Sequence, residues 1–325
     1  MFKLLSTVVA TIGALATASL AHAQVHGQSP MPPMIRIVVP FSPGAGTDIL
    51  ARRLANALGP RLNTTVIVEN RPGASGMIGT STVVKGPKDG SQLVFGSVSL
   101  VSAAALMGNA SFNLLTDLTP VAVTGEGPLL VAVPVSSSIT SPQDLVAAAR
   151  AKPDALSHGT GGIGTIAHVA AEMLNNQAKI QIRHIPYKGA APAVTDTIGG
   201  VLDVIFAART SIAGQLRAGQ LRAIAVASAT PSAAFPNLPT MASAVPGYSA
   251  TLYNVLLAPA GTPAALIKRI NKEVNEISAS KEMQELLEAD GFTAVNETPE
   301  QSAKRIRDSY TVFKRVGAEQ NIVLQ

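Results

Sequence analysis

The periodicity of the chain changes twice within its first ordered stretch. Residues 35–39 are apolar at nearly every position, with Arg36 inside the run. Pro40-Phe41-Ser42-Pro43-Gly44-Ala45-Gly46 follows, and then Ile49, Leu50, Leu54, Leu58 and Leu62 recur at helical spacing. This pattern predicts strand, glycine turn, helix. The unit repeats, with strands at 66–68 and 93–95, a loop at 70–76 and a helix at 77–84. Strands that are apolar throughout and separated by helices predict a parallel sheet covered on both faces.

A second set begins near residue 129. Strands are expected at 129–133, 156–159, 180–185, 204–206 and 221–226. Between them fall a helix opened by Ser141-Pro142, as cap and first helical position, and helices at 165–174, 190–198 and 212–217. After the Pro/Gly-rich segment 235–247 come a strand at 253–257 and helical patterns at 263–278, 283–287 and 299–316. Two α/β sets in 325 residues predict two lobes with a cleft between them, and ligands of open α/β sheets bind beyond the carboxyl ends of strands.

Residues 1–23 read as a cleavable signal peptide: Lys3 gives a basic start, 4–20 is apolar or small, and Ala21-His22-Ala23 is a small-x-small cleavage pattern. Residues 24–34 are polar and carry three prolines, a disordered lead-in. The absence of cysteine excludes a disulfide framework, an iron–sulfur cluster, a thiolate zinc site, a thiol nucleophile and a lipid anchor on cysteine. Export without disulfides fits the bacterial periplasm. The formal charge of +5 comes with no stripe of interleaved aromatic and basic residues, so nucleic acid is not an expected partner. A positive field that draws in small anions is the better reading.

Four glycine-bearing loops lead into predicted helices: 40–48, 70–76, 159–165 and 187–192. A helix start offers unpaired N–H groups and a partial positive charge, and glycine lets the backbone approach a ligand closely. Each such end contributes up to ~2 kcal/mol when partly buried, and a charge-assisted hydrogen bond about 1.5–3 kcal/mol. Two loops on one carboxylate thus approach the ~8 kcal/mol of a micromolar site. The bland reading is that such turns are common without ligands, and that Ser42, Thr47 and Asp48 merely cap a helix. Gly159-Thr160-Gly161-Gly162-Ile163-Gly164 matches G-x-G-x-x-G, but the next strand carries no acidic residue for a ribose, so no dinucleotide is expected. Neither G-x-S-x-G nor H-E-x-x-H occurs, so no catalytic residue, metal or cofactor is expected. His168 sits about one turn into a helix whose start is expected to face the cleft.

Ile35-Arg36-Ile37-Val38-Val39-Pro40-Phe41-Ser42-Pro43-Gly44, with Thr47-Asp48 and Ala51-Arg52, resembles the opening of Bug-type receptors, the periplasmic solute-binding proteins of tripartite tricarboxylate transporters. Val68-Glu69-Asn70-Arg71-Pro72-Gly73, Pro87-Lys88-Asp89-Gly90, Pro186-Tyr187-Lys188-Gly189, Leu238-Pro239-Thr240 and Leu257-Ala258-Pro259-Ala260-Gly261-Thr262-Pro263 extend the resemblance along the chain. It implies an α/β, two-lobed periplasmic binding protein of type II (Venus-flytrap) with a hinge of two chain crossings. Lobe 1 is expected at 35–127 plus 247–325 and lobe 2 at 128–246. The protein it implies is a monomer that captures a small organic acid and delivers it to integral membrane permease subunits.

By the same resemblance, Phe41, Ser42, Gly44, Ala45, Gly46, Thr47 and Asp48 of one lobe and Thr160, Gly161, Gly162, Thr165 and His168 of the other grip one carboxylate. Ser97 and Val98 match a ligand-facing stretch. Amino-acid-binding relatives place an Asp after the strand at 204–206, where this chain has Ala207 and, two residues on, Arg209. Loss of an anion and gain of a cation favours a ligand with a second anionic group, a dicarboxylate, aliphatic or aromatic. Two alternatives use the same features: a ligand-sensing partner of a membrane signalling protein, and an enzyme acting on a carboxylic acid, for which no catalytic motif is present.

Overall fold

In the computed structural model, which describes residues 30–44 and 46–322, the first apolar run forms β1 (Met34–Val39). The helix that follows is α1 (Gly46–Leu62), and the chain returns as β2 (Thr65–Asn70). Then come α2 (Met77–Val84), β3 (Gln92–Ser97), α3 (Val98–Leu106), a single turn α4 (Leu114–Asp117) and β4 (Leu118–Pro128). Strand β1 lies between β2 and β3 and runs parallel to both. Ile35, Ile37 and Val39 point to one face and Val38 to the other, and all four are buried in the two cores on either side of the strand.

After Leu129 the chain enters a second sheet: β5 (Leu130–Pro134), α5 (Pro142–Ala151), β6 (Ser157–Thr160), α6 (Ile166–Ala178) and β7 (Arg183–Pro186). It continues through α7 (Ala190–Ile198), β8 (Val204–Ala207), α8 (Arg209–Arg217) and β9 (Leu221–Val226). The return is β10 (Thr251–Pro259), α9 (Ala264–Ser278), α10 (Lys281–Ala289), β11 (Thr293–Ala294) and α11 (Pro299–Glu319). Among the described residues the sheet orders are β11-β4-β10-β3-β1-β2 and β7-β6-β8-β5-β9.

Both sheets are mixed, not parallel as the apolar runs predict. Strand β10 is antiparallel to β3 and β4, and β5 is antiparallel to β8 and β9. An apolar run reports burial on both faces and carries no direction. Direction is set here by the crossings: β4 leads into the other sheet through one residue, and β10 brings the chain back into the centre of the first.

Helices α1 and α9 cover one face of the first sheet, with Leu54, Leu58, Ile270 and Val274 against Ile35, Leu93 and Leu256. The opposite face shares a continuous core with the second sheet, in which Leu100, Val101 and Phe313 pool with Val131, Leu145, Val169 and Phe206. A separate cluster on the far side of the second sheet joins Leu130 and Ile205 to Val194 and Ile212. Helix α3 has no counterpart in the hydrophobic periodicity. It is buried on every side, so its apolar positions trace no stripe.

The strand expected at 180–185 is confined to Arg183–Pro186, and the helix expected from 165 has Thr165 as its cap. The expected lead-in is shorter than residue 34, since Met31 packs on the core and Met34 opens β1. The signal-peptide segment 1–23, and 24–29 of the lead-in, lie outside the described residues. Among the described residues no helix is long and apolar enough to cross a membrane.

Candidate functional site

The turn after β1 is organised by one buried carboxylate. Asp48, 3 % exposed, accepts hydrogen bonds from the Gly44 N–H (2.9 Å), the Asn70 side-chain amide (2.9 Å) and Arg52 Nε (3.2 Å). Burial pushes this carboxyl up, but the Gly44, Arg52 and Asn70 donors outweigh it and hold it below the usual range. Asn70 also donates to the Phe41 carbonyl, tying the turn to the end of β2. Asp48 thus shapes the loop, and its oxygens are spent within it. Phe41 packs on the core of the first sheet, and Ser42 and Gly44 are exposed. Ala45 lies outside the described residues.

A cavity of about 190 Å³ opens where elements of the two sheets meet. It has space for the equivalent of roughly six waters at ~30 Å³ each. Gly46 and Thr47 of α1, Ser97 at the start of α3, and Ala208 and Thr210 at the start of α8 line it. Three helix N-termini, two carried by the first sheet and one by the second, therefore share one cavity. Neither Ser97 nor Ala208 forms a side-chain cap bond. Their first N–H groups are left to a ligand or water, and the helix dipoles favour negative charge there.

The rest of the wall comes from late in the chain. Asn254 of β10 lies in register with Ser97. It is 8 % exposed, and among the described residues its side-chain amide has no hydrogen-bond partner within the protein. Leu252, Leu286, Leu287 and Phe292 make the cavity largely apolar, and Asp290, just past α10, adds a carboxylate. Sequence reasoning found none of these residues. They lie far in sequence from the glycine turns, and the local signals were the apolar strand at 253–257 and the helical pattern at 283–287, neither of which points to a cavity.

Of the residues expected to touch ligand, Gly46, Thr47 and Ser97 line this cavity, and Thr160, Gly161, Gly162, Thr165 and His168 do not. Val98 is fully buried in the shared core, and Ala207 packs beneath the far side of the second sheet. The glycine loop after β6 is instead knitted into its own lobe and to α3. Gly161 lies against Gly189, whose N–H donates to the Gly161 carbonyl (3.2 Å), and Ser102 Oγ donates to the Gly164 carbonyl (2.7 Å).

Beneath that loop is a stack of imidazoles. His168 Nδ1 accepts the Gly164 N–H (3.2 Å), which places its ring proton on Nε2, 3.9 Å from Glu172. Its ring stacks on His184 at 3.9 Å, and His184 stacks on His158 at 4.9 Å. His184 Nε2 is 2.7 Å from the Thr160 hydroxyl. Burial lowers His168 to about 4, an effect that the charge of Glu172 opposes. Burial and then the neighbouring imidazoles lower His184 to about 3. His168 and His184 are therefore neutral at pH 7, and the stack supports the loop. Among the described residues no group of histidines and carboxylates has the arrangement of a metal site.

Arg209, expected to meet the ligand, lies outside the cavity lining in the structure. Its Nη1 donates to the carbonyls of Glu288 (3.0 Å) and Ala289 (2.8 Å), and its guanidinium lies 6.0 Å from the Phe235 ring centre. The last carbonyls of a helix attract a cation, so Arg209 caps α10 across the two lobes and does not line the cavity.

The sequence pattern of the "Tripartite tricarboxylate transporter family receptor" matches residues 50–322. The chain is similar to Protein BugT of Bordetella pertussis, with 35% identity over 308 residues, 94% of each chain. Among solved structures it is similar to one described as a periplasmic transporter, with 31% identity, a TM-score of 0.77 and coverage of 90% of this chain and 98% of the other. It is also similar to an R. palustris protein solved with adipate, with 29% identity, a TM-score of 0.78 and coverage of 89% and 98%. With the likeness to the periplasmic binding protein BugD (27% identity, a TM-score of 0.75, coverage of 90% and 98%), these show the two-lobed α/β fold of a periplasmic binding protein.

Proposed function

Since this chain belongs to the tripartite tricarboxylate transporter receptor family, whose members are periplasmic solute-binding receptors and not enzymes, we propose that it captures a small organic carboxylate in the interlobe cavity and delivers it to membrane permease subunits. The observation that carries this reading is the convergence of the α1, α3 and α8 N-termini on one cavity, two of them without side-chain caps. Uncapped amides in a largely apolar recess bind an anion more strongly than amides in water do. The Asn254 amide beside Ser97, without a partner among the described residues, is a further donor. The adipate-bound relative supports a carboxylic acid as the ligand class.

Closure follows from where the cavity lies. A ligand held by α1 and α3 of one lobe and α8 of the other has its full set of contacts only when the lobes are together, so binding shifts the population toward the closed state. The crossings at Leu129 and between β9 and β10 are the proposed hinge. Residues 1–23 are the proposed cleaved leader, and the working form is a monomer in the periplasm.

The test is direct binding to the purified chain by titration calorimetry, with matched carboxylates and the corresponding primary amides as probes. Binding of acids and not of amides is the expected result. Equal affinity for the uncharged amides overturns the anion reading. Loss of uptake of the bound acid on deletion, with signalling intact, supports delivery to a permease over a sensing role.

A further inference from the structure

The acidic residue in the cavity wall points to the ligand's other end. Asp290 follows the last turn of α10 and lines the same recess as Thr47, Ser97 and Asn254. Among the described residues its carboxylate makes no hydrogen bond and has no cation within 4.0 Å. The nearby cation, Arg209, is committed to the Glu288 and Ala289 carbonyls. Burial pushes the Asp290 carboxyl above its usual range, and the charge of Arg209 only partly offsets this. A half-buried carboxylate in an apolar wall is thus left without a partner.

Resting on the carboxylate reading above, we propose that Asp290 is a specificity-determining residue, which accepts a hydrogen bond from a donor group at the far end of the ligand and excludes a second carboxylate from that position. The ligand class is a small monocarboxylate with an apolar body and a terminal hydroxyl, amide or ammonium group. Selectivity of this kind needs a repulsive element as well as an attractive one. Two carboxylates brought together in a recess of low dielectric cannot both stay ionised without cost, whereas a donor satisfies the lone pairs that the closed cavity strips of water. This reverses the expectation built on Arg209: the charge that faces the ligand is an acid.

The experiment is calorimetric titration of the intact chain with four probes of one chain length, hexanoate, adipate, 6-hydroxyhexanoate and 6-aminohexanoate. Each is repeated with Asp290→Asn and Asp290→Ala, whose folding is checked by thermal melting. In the wild-type chain a donor-bearing probe is expected to bind at least tenfold more tightly than adipate. Both substitutions are expected to narrow that ratio at least tenfold, and Asp290→Ala to strengthen hexanoate binding, since hexanoate brings no donor to the carboxylate that closure strips of water. A wild-type preference for adipate over both donor-bearing probes, or a ratio unmoved by the substitutions, overturns the role of Asp290 and leaves the carboxylate reading standing. Failure of all four probes to bind overturns both.

Discussion

The Ser102 hydroxyl donates a 2.7 Å hydrogen bond to the Gly164 carbonyl, joining α3 of the first lobe to the glycine loop of the second. Ser102 is fully buried, so water cannot replace the hydroxyl. Ser102→Ala is expected to lower stability by about 1–3 kcal/mol, the cost of leaving a buried carbonyl unpaired. Urea denaturation at constant m-value checks it. An unchanged midpoint would mean that the loop finds another donor.

Arg209 bridges the lobes at an exposed rim, through two carbonyls that end α10. Arg209→Ala is expected to favour the open state and to weaken every ligand by the same factor, roughly two- to tenfold, since exposed charge-assisted bonds contribute only about 0.5–1.5 kcal/mol. Titration of hexanoate and adipate in parallel is the check. A loss confined to adipate would show that Arg209 touches the ligand itself.

The imidazole stack makes stability depend on pH. His168 and His184 sit at about 4 and about 3, below the 6.5 of a free imidazole. As pH falls below 6.5 the unfolded chain takes up protons that the folded rings refuse. Their contribution is complete above pH ~6.5 and is lost as pH drops toward 4, with a slope of at most about 1.4 kcal/mol per pH unit for each ring. His184 is only half-buried and contributes less than His168. Urea midpoints at pH 7, 6 and 5 are expected to fall, and His168→Gln to fall less steeply. Parallel curves for the two proteins would refute the assignment.

Asp48 holds the β1–α1 turn through three donors from Gly44, Arg52 and Asn70. Asp48→Ala is expected to cost about 1.5–3 kcal/mol, the range for hydrogen bonds to a charged group. It is also expected to weaken carboxylate binding at least tenfold, because Gly46 and Thr47 lose their fixed position in the cavity wall. Thermal melting and calorimetry on one sample separate the two effects. Unimpaired binding by a destabilised variant would mean that the turn does not position those amides.

Much of this architecture is local chemistry. The switch from an apolar run to helical spacing marked β1 and α1, Ser141-Pro142 announced α5, and the glycine turns lay where helices begin. Periodicity and capping act within a few residues, so they survive in one dimension. The sequence also carried a long collinear family resemblance, and with it the two-lobed fold and the solute-binding role. What only the tertiary structure decided were strand direction, the stripe-free helix α3 and the far wall of the cavity. Asn254 and Asp290 meet Ser97 and Thr47 only because β10 returns to the centre of the first sheet. Arg209 illustrates the same limit: its charge was legible, but its partners lie 79 and 80 residues away, and a long side chain bonds to whatever carbonyls the fold brings within reach.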